Sequence, residues 1–450
     1  MAATTSGAGI MRAMRSLMLV GLLLSALAAA AGEALPSLPV ERDARFLGVD
    51  TCGSSECHGS QEPWRNATVS MKERLVWQAH DPHAKAYEHL AGDKGQAIAR
   101  KFGVADATAA PECLVCHSTF VPVAQRGPKF SLGAGVGCES CHGPGSQFLK
   151  AHVQPTSRHE DSVAAGLYPT NLAAPRAALC LSCHQGDEQR GITHALYGAG
   201  HPRLRFELDT YGAAQPYHYL ADADYRRRKP LASHLELWTA GQLQAARLLL
   251  GQVERAHGKG LFPELANYDC QACHRPISTD ADYRPRPGVG PGGLSVNDAP
   301  LLALRAVASV VAPAEVDGLR EDTRALQTAL FDRERRTATV ARLRARLDTL
   351  ARACEARGRR DGDTAAVLGA LLALARDEAS LGYGAAETIA MASATLVAAE
   401  FEQQALSADK YARANQALDG VYAAVEDERA YRAKTFVAAL DGLATALGNQ

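Results

Sequence analysis

Five histidines in this 450-residue chain directly follow a cysteine that has a second cysteine a few residues before it. Four of these motifs have the spacing C-x-x-C-H, and in the fifth, Cys52, Cys57 and His58, the segment GSSE separates the cysteines. At such spacing two thiols can form thioethers with the vinyl groups of a haem, and the histidine can bind its iron. The sequence therefore predicts haem c at four regular motifs and a fifth haem at the stretched motif. The regular motifs are Cys113-Cys116-His117, Cys138-Cys141-His142, Cys180-Cys183-His184 and Cys270-Cys273-His274.

Paired cysteines also occur in zinc sites and in structural disulfides. Both alternatives leave the histidine after every second cysteine without a role, so haem attachment is the better interpretation of the regular motifs. At the stretched motif, a plain disulfide between Cys52 and Cys57 stays open, with His58 as a surface residue. We favour haem attachment there because a helical stretch carrying candidate iron ligands follows it.

The second axial ligand decides what each haem iron can do. An iron with two histidines is saturated and passes electrons, whereas an iron with one histidine has an open position for a substrate. Ten of the fifteen histidines lie outside the motifs, enough to supply every haem with a second ligand. The five that we rank highest are His83, His201, His194 and His152, with His218 next.

The high ranks of His83 and His201 depend on the residues next to them in sequence. His83 follows Asp81-Pro82 at a predicted helix start, although His80 competes with it on the same helical face. His201 lies between Gly200 and Pro202, whose small groups would let a haem approach. The sequence does not assign a particular second histidine to a particular haem. Because the motifs at 113–117 and 138–142 are close in sequence, we expect their haems to stack.

The elements that must position these residues are mainly α-helical. Residues 45–276 form a multihaem region with little sheet, in which Trp77–Leu90 and His234–His257 have helical patterns. A Pro/Gly-rich linker is predicted at 277–299. Residues 300–450 contain no histidine and predict a bundle of four to five helices. One of its helices carries the apolar stripe Val340, Leu343, Leu347, Leu350 and Cys354.

The start of the chain has the pattern of a secretory signal peptide. Arg12 and Arg15 precede the apolar run Leu17–Leu27, and small residues at Ala28–Ala31 predict cleavage after residue 31. The run is too short for a transmembrane helix, and we expect no membrane span after cleavage. The sequence thus predicts a periplasmic or otherwise exported protein. Removing residues 1–31 changes the formal charge from −1 to −3, which gives no support to nucleic-acid binding.

The region 48–276 resembles multihaem cytochromes of the cytochrome c-554/c-prime type. The most specific likeness lies in the strings CESCHGP, within 135–152, and GHPRLRFEL, within 194–208. The other resembling segments are 77–90, 180–187 and 269–276. The resemblance implies an exported electron carrier with closely packed haems, mostly bound by two histidines. It also implies that His83, His152, His194 and His201 lie in the histidine-bearing segments of that family.

These observations favour a protein that passes electrons through four or five haems to redox partner proteins. The alternative is a multihaem oxidoreductase with one open iron that acts on a small nitrogen or sulfur compound. Tyr197, Tyr211, His218, Arg203 and Arg205 could line such a site, although haem packing explains them as well, and we assign no catalytic residue. A third hypothesis is a module of a larger redox complex whose helical region binds the partner. The sequence does not fix the oligomeric state.

Overall fold

Proline and glycine divide the histidine-rich half of the chain into short helices. The computed structural model describes residues 35–62, 70–255, 263–274, 288–290, 293–377 and 381–448. The predicted signal peptide and most of the predicted linker at 277–299 lie outside these residues. The chain divides into two units, Met1–Pro36 and Ser37–Gln450, and all of the described helices belong to the second.

The described α-helices before residue 256 are mostly five to ten residues long. They are Val49–Cys52, Glu73–His80, Ala86–Ala91, Asp93–Phe102, Pro111–His117, Cys138–His142, Gly145–His152, His159–Ala164, Ala173–Leu181, His194–Gly198, Leu208–Ala214, Ala223–Arg228 and His234–Arg255. In the described residues, β-structure is limited to two isolated bridges, Phe46 with Arg126 and Tyr268 with Val296. The predicted mainly α fold is confirmed.

The stretch Trp77–Leu90, which has a helical pattern, is helical with one break at Asp81. The first helix ends at His80, Asp81 adopts an extended conformation, and a short 3₁₀ turn, Pro82–Lys85, leads into the helix Ala86–Ala91. Proline disfavours helical geometry in the residue before it, which explains the break at Asp81. The break separates His80 from His83 and turns the following segment in a new direction.

The C-terminal part contains seven helices in its described residues, where four to five were predicted. Short breaks at Pro313, Gly358–Gly362 and Gly382 separate successive helices. On the predicted stripe, Val340, Leu343, Leu347 and Leu350 are fully buried, which confirms its inward orientation. The seven helices are Ala299–Val311, Val316–Ala329, Arg333–Arg357, Asp363–Asp377, Tyr383–Glu402, Ala408–Ala423 and Ala433–Leu447.

The main hydrophobic core extends from Trp238 to Leu447. The helix His234–Arg255, which ends just before the last haem motif, packs into this core together with the seven C-terminal helices. The histidine-rich part has two much smaller clusters, one around Leu90 and Leu114 and one around Leu181 and Leu208. The long helix therefore anchors the histidine-rich part on the helical part. The domain limits at 276 and 300 stay a prediction.

Within the described residues, no helix is both long enough and apolar enough to cross a bilayer.

Candidate haem-binding sites

Each regular motif lies on a helical turn. Pro111–His117 and Cys138–His142 are α-helical, the motif Cys180-Cys183-His184 lies where the helix Ala173–Leu181 continues into the π-helical turn Ser182–Gly186, and Cys270–Ala272 is a 3₁₀ turn. On a helical turn, residues three and four positions apart lie on one face. The two thiols and the imidazole of each motif are thus presented together, as covalent attachment of one haem requires.

The stretched motif reaches a similar arrangement by another route. His58 donates its backbone N–H to the carbonyl of Cys52 over 3.0 Å, and His274 makes the same kind of bond to Cys270 over 2.7 Å. A local turn, closed by a bond from Cys57 N–H to the carbonyl of Ser54, takes up the extra residues. The longer loop therefore still returns the histidine to the first cysteine of its motif.

All eleven cysteines lie in the described residues and are free thiols. The disulfide alternative for Cys52 and Cys57 is thus not the arrangement that the structure adopts. In the described residues, no three Cys, His, Asp or Glu side chains converge in a way that could hold a metal ion.

Every motif histidine faces one histidine from outside the motifs. The separations of the ring centroids fall between 5.9 and 6.4 Å. The pairs are His58 with His152 at 6.0 Å, His117 with His201 at 6.4 Å, His142 with His218 at 6.2 Å, His184 with His83 at 5.9 Å, and His274 with His194 at 6.1 Å. These five partners are the five histidines that the sequence ranked highest.

The spacing of the pairs fits an iron between the rings. Two axial imidazoles on one iron have centroids about 6 Å apart, given iron–nitrogen bonds of about 2 Å. A hydrogen bond between two imidazole rings would bring them closer than this. The residues present therefore fit haem at all five sites.

Hydrogen bonds at Nδ1 orient several of these rings. The Nδ1 atom of His117 lies 3.0 Å from the carbonyl oxygen of Ala86, and that of His201 lies 2.8 Å from the carbonyl oxygen of Pro202. A carbonyl only accepts hydrogen bonds, so Nδ1 carries the proton and Nε2 is free to bind a metal.

Two other rings face carboxylates. The Nδ1 atom of His58 lies 3.0 Å from Glu73, and that of His83 lies 2.8 Å from Asp81. Burial alone would raise the pKa of Asp81, but bonds from His83 and Gln215 lower it to about 2, so the group is a carboxylate. Sequence analysis did not identify Glu73 and Asp81 as hydrogen-bond acceptors of these rings. The position of Asp81, two residues before the ranked His83, could have indicated its role.

Burial favours the neutral form of five of the paired rings. It lowers the pKa of His142 to about 3 and that of His184 to about 4, and it also lowers the pKa values of His117, His152 and His218. At His83 the hydrogen bond to Asp81 instead raises the pKa. A neutral imidazole is the form that binds a metal.

The motifs also contact one another. The thiol of Cys52 interacts with that of Cys138, which raises the pKa of Cys52 and lowers that of Cys138. Cys116 forms the same kind of contact with Cys183. The structure thus places the motif at 52–58 beside that at 138–142, and the motif at 113–117 beside that at 180–184. The expected stacking of the haems at 113–117 and 138–142 stays a prediction.

The remaining described histidines have other surroundings. His80 and His89 are exposed, His159 lies 3.1 Å from Asn171, and His234 lies between Asp209 and Glu402. His257 lies outside the described residues.

The residues considered for a catalytic pocket make structural contacts. Arg203 and Arg205 pair with Glu387, and Tyr211 stacks on Phe206. The Tyr197 hydroxyl accepts a long hydrogen bond from the backbone N–H of Leu204.

Comparison with known families agrees with this geometry. Residues 52–143 match the family model of cytochrome c554 and c-prime, beginning at the first cysteine of the stretched motif and ending just after His142. The match supports assigning this segment to the cytochrome c family. Such cytochromes bind haem c covalently through the residue types that the motifs provide. No curated protein and no solved structure matches the chain.

Proposed function

We propose that the chain is an exported multihaem cytochrome c that passes electrons through five covalently bound haems, each held between two histidines. Haem iron supplies one-electron redox chemistry. The proposal is carried by the five histidine pairs, because each joins one motif histidine to one histidine from elsewhere in the chain.

Two histidines at every iron favour an electron carrier over an enzyme. A saturated iron has no position for a small nitrogen or sulfur substrate. The Nδ1 hydrogen bonds of His117 and His201 hold both rings with Nε2 available, which supports stable ligation by both. The alternative oxidoreductase requires a motif histidine without a facing histidine, and none of the five motifs in the described residues provides one.

The contacts between motifs support electron transfer from haem to haem. Cys52 interacts with Cys138, and the thiol of Cys183 lies 3.9 Å from the carbonyl oxygen of Val115, within the motif Cys113-Cys116-His117. These contacts favour close approach of the haems of the motifs concerned. The electron donor and acceptor would be other redox proteins.

The stretched motif is included because of its geometry. The backbone bond from His58 to Cys52 reproduces the bond from His274 to Cys270, and His58 faces His152 in the same way as the other pairs. Export is supported by the signal-peptide pattern at 1–31, since haem c is attached outside the bacterial cytoplasm.

The test is an intact mass and a quantified low-temperature EPR spectrum of the oxidised protein. We expect the mass of residues 32–450 plus five haems, with every iron low-spin. Four haems would overturn the assignment of the stretched motif. A stoichiometric high-spin haem would overturn ligation by two histidines at one site and favour the oxidoreductase.

A further inference from the structure

We infer that Asp81 is a positioning residue that lowers the midpoint potential of the haem held by His83 and His184. The inference rests on the proposed ligation of this haem by His83 and His184. It assigns a role to a residue that binds neither iron nor substrate. The midpoint potential measures how strongly this one haem holds an electron.

Asp81 is a buried carboxylate aimed at an iron ligand. Its residue is 3% exposed, and its Oδ1 atom lies 2.8 Å from Nδ1 of His83. The backbone N–H of His83 donates to the same oxygen over 3.0 Å, and Gln215 donates from Nε2 to Oδ2 over 2.8 Å. These bonds hold the carboxylate in place at His83.

A negative acceptor at Nδ1 changes the ligand itself. The imidazole that donates to a carboxylate gains electron density and becomes a more basic ligand. Reduction removes one positive charge from the iron, so a more basic ligand and a nearby negative charge both favour the oxidised form. Low dielectric around a buried carboxylate strengthens this effect.

The other sites provide the contrast. At the site of His117 and His201, both Nδ1 atoms face neutral backbone carbonyls, of Ala86 and Pro202. Glu73 faces His58 as Asp81 faces His83, but its side chain is more exposed, 15% against 2%. Asp81 is therefore the carboxylate with the strongest expected effect.

An ordinary structural role for Asp81 is also visible, since its side chain caps the turn Pro82–Lys85. Asparagine caps a helical turn about as well as aspartate and can still accept from Nδ1, but it carries no charge. Asp81→Asn thus preserves the cap and removes the charge. Asp441→Asn is a matched control, because Asp441 is 51% exposed in the helix Ala433–Leu447 and pairs with Arg376.

The experiment is a spectroelectrochemical titration of the five-haem protein and both variants, with EPR of each oxidised sample. The sum of the five midpoint potentials reports the change, so no reduction step has to be assigned to a particular haem. For Asp81→Asn we expect every haem to stay low-spin and the sum to rise by about 59 mV, a tenfold change at one haem. For Asp441→Asn we expect no comparable rise.

If the sum of midpoint potentials changes no more in Asp81→Asn than in Asp441→Asn, the inference is overturned and the proposed ligation stays intact. If Asp81→Asn shows a high-spin haem, Asp81→Ser provides a second uncharged cap; high-spin iron in both variants would make Asp81 a structural residue only and overturn the inference. A high-spin haem in the unsubstituted protein that His83→Ala does not change would overturn the ligation itself, and the inference with it.

Discussion

Arg203 donates a hydrogen bond from its Nη2 atom to Oε2 of Glu387 over 2.7 Å, and this bond joins the histidine-rich part of the chain to the helix Tyr383–Glu402. The same guanidinium lies 3.7 Å from Glu428 and 5.1 Å above the ring of Tyr383. Burial alone would lower the pKa of Arg203, but the two carboxylates raise it. Because Arg203 follows His201 by two residues, the ion pair also anchors the segment that carries a proposed iron ligand.

Replacing Glu387 with glutamine should weaken this anchor. Glutamine preserves the shape of the side chain but leaves a half-buried guanidinium with one carboxylate fewer, so we expect the free energy of unfolding to fall by about 1–3 kcal/mol. Urea denaturation of the haem-loaded protein, followed by circular dichroism, measures this. Glu426→Gln, which removes an exposed carboxylate, is the control. Equal losses in the two variants would contradict a specific role for the pair.

Local spacing predicts which cysteines and histidine act together in each motif, because these groups are neighbours in sequence. The second histidines are predicted as a set from their number and flanking residues. Their pairing could not be predicted from the sequence, because His184 faces His83, which lies 101 residues earlier, and only the folded chain brings the two together. The same limit applies to Asp81, whose partner Gln215 lies far along the chain.

The helical part illustrates a second limit of sequence reasoning. Periodicity identified the buried face of Arg333–Arg357 correctly, since Leu343 and Leu347 are fully buried. It predicted too few helices, since the described residues of this part contain seven where four to five were predicted, and the turn Pro313–Glu315 separates two of them.

Glu139 lies inside the third motif and should be essential for its local structure. It is 4% exposed and accepts three backbone N–H bonds, from Leu47 at 2.8 Å, Gly48 at 2.7 Å and Gly145 at 2.6 Å. Glu139→Gln replaces one accepting oxygen with a donor that faces N–H groups. We expect a loss of about 2 kcal/mol in the free energy of unfolding, measured by urea denaturation.

Glu112→Gln is the matched control for this change, since Glu112 is exposed and also adjoins the first cysteine of a motif. A similar loss in both variants would show that the three backbone bonds of Glu139 are not the cause.

The stretched motif can be tested through its facing histidine. His152 has its ring centroid 6.0 Å from that of His58, whereas the nearby His159 lies 3.1 Å from Asn171. We expect His152→Ala to convert one of five haems to the high-spin form in the EPR spectrum, because its iron loses one axial ligand. His159→Ala should leave every haem low-spin. A high-spin haem in His159→Ala, or none in His152→Ala, would show that the pairing at this site is different.

His234 should make the stability of the protein depend on pH above neutrality. Its Nδ1 lies 2.7 Å from Asp209 and its Nε2 lies 3.0 Å from Glu402, and the hydrogen bond to Asp209 is the main cause that raises the pKa of His234 from 6.5 to about 9. A raised pKa means that the folded state binds the proton more tightly than the unfolded state does. The stabilisation is therefore fully present below pH 6.5 and is lost as the pH rises through about 9.

The difference between the unsubstituted protein and His234→Gln isolates this contribution. Glutamine can still form hydrogen bonds but does not titrate, and every other ionisable group is common to both proteins. We expect the advantage of the unsubstituted protein, on the order of 1–3 kcal/mol for a pKa shift of this size, to decline between pH 6.5 and about 9.5. Urea denaturation at a series of pH values measures it. An advantage that stays constant over this range would mean that His234 stabilises the contact between Asp209 and Glu402 without carrying a proton there.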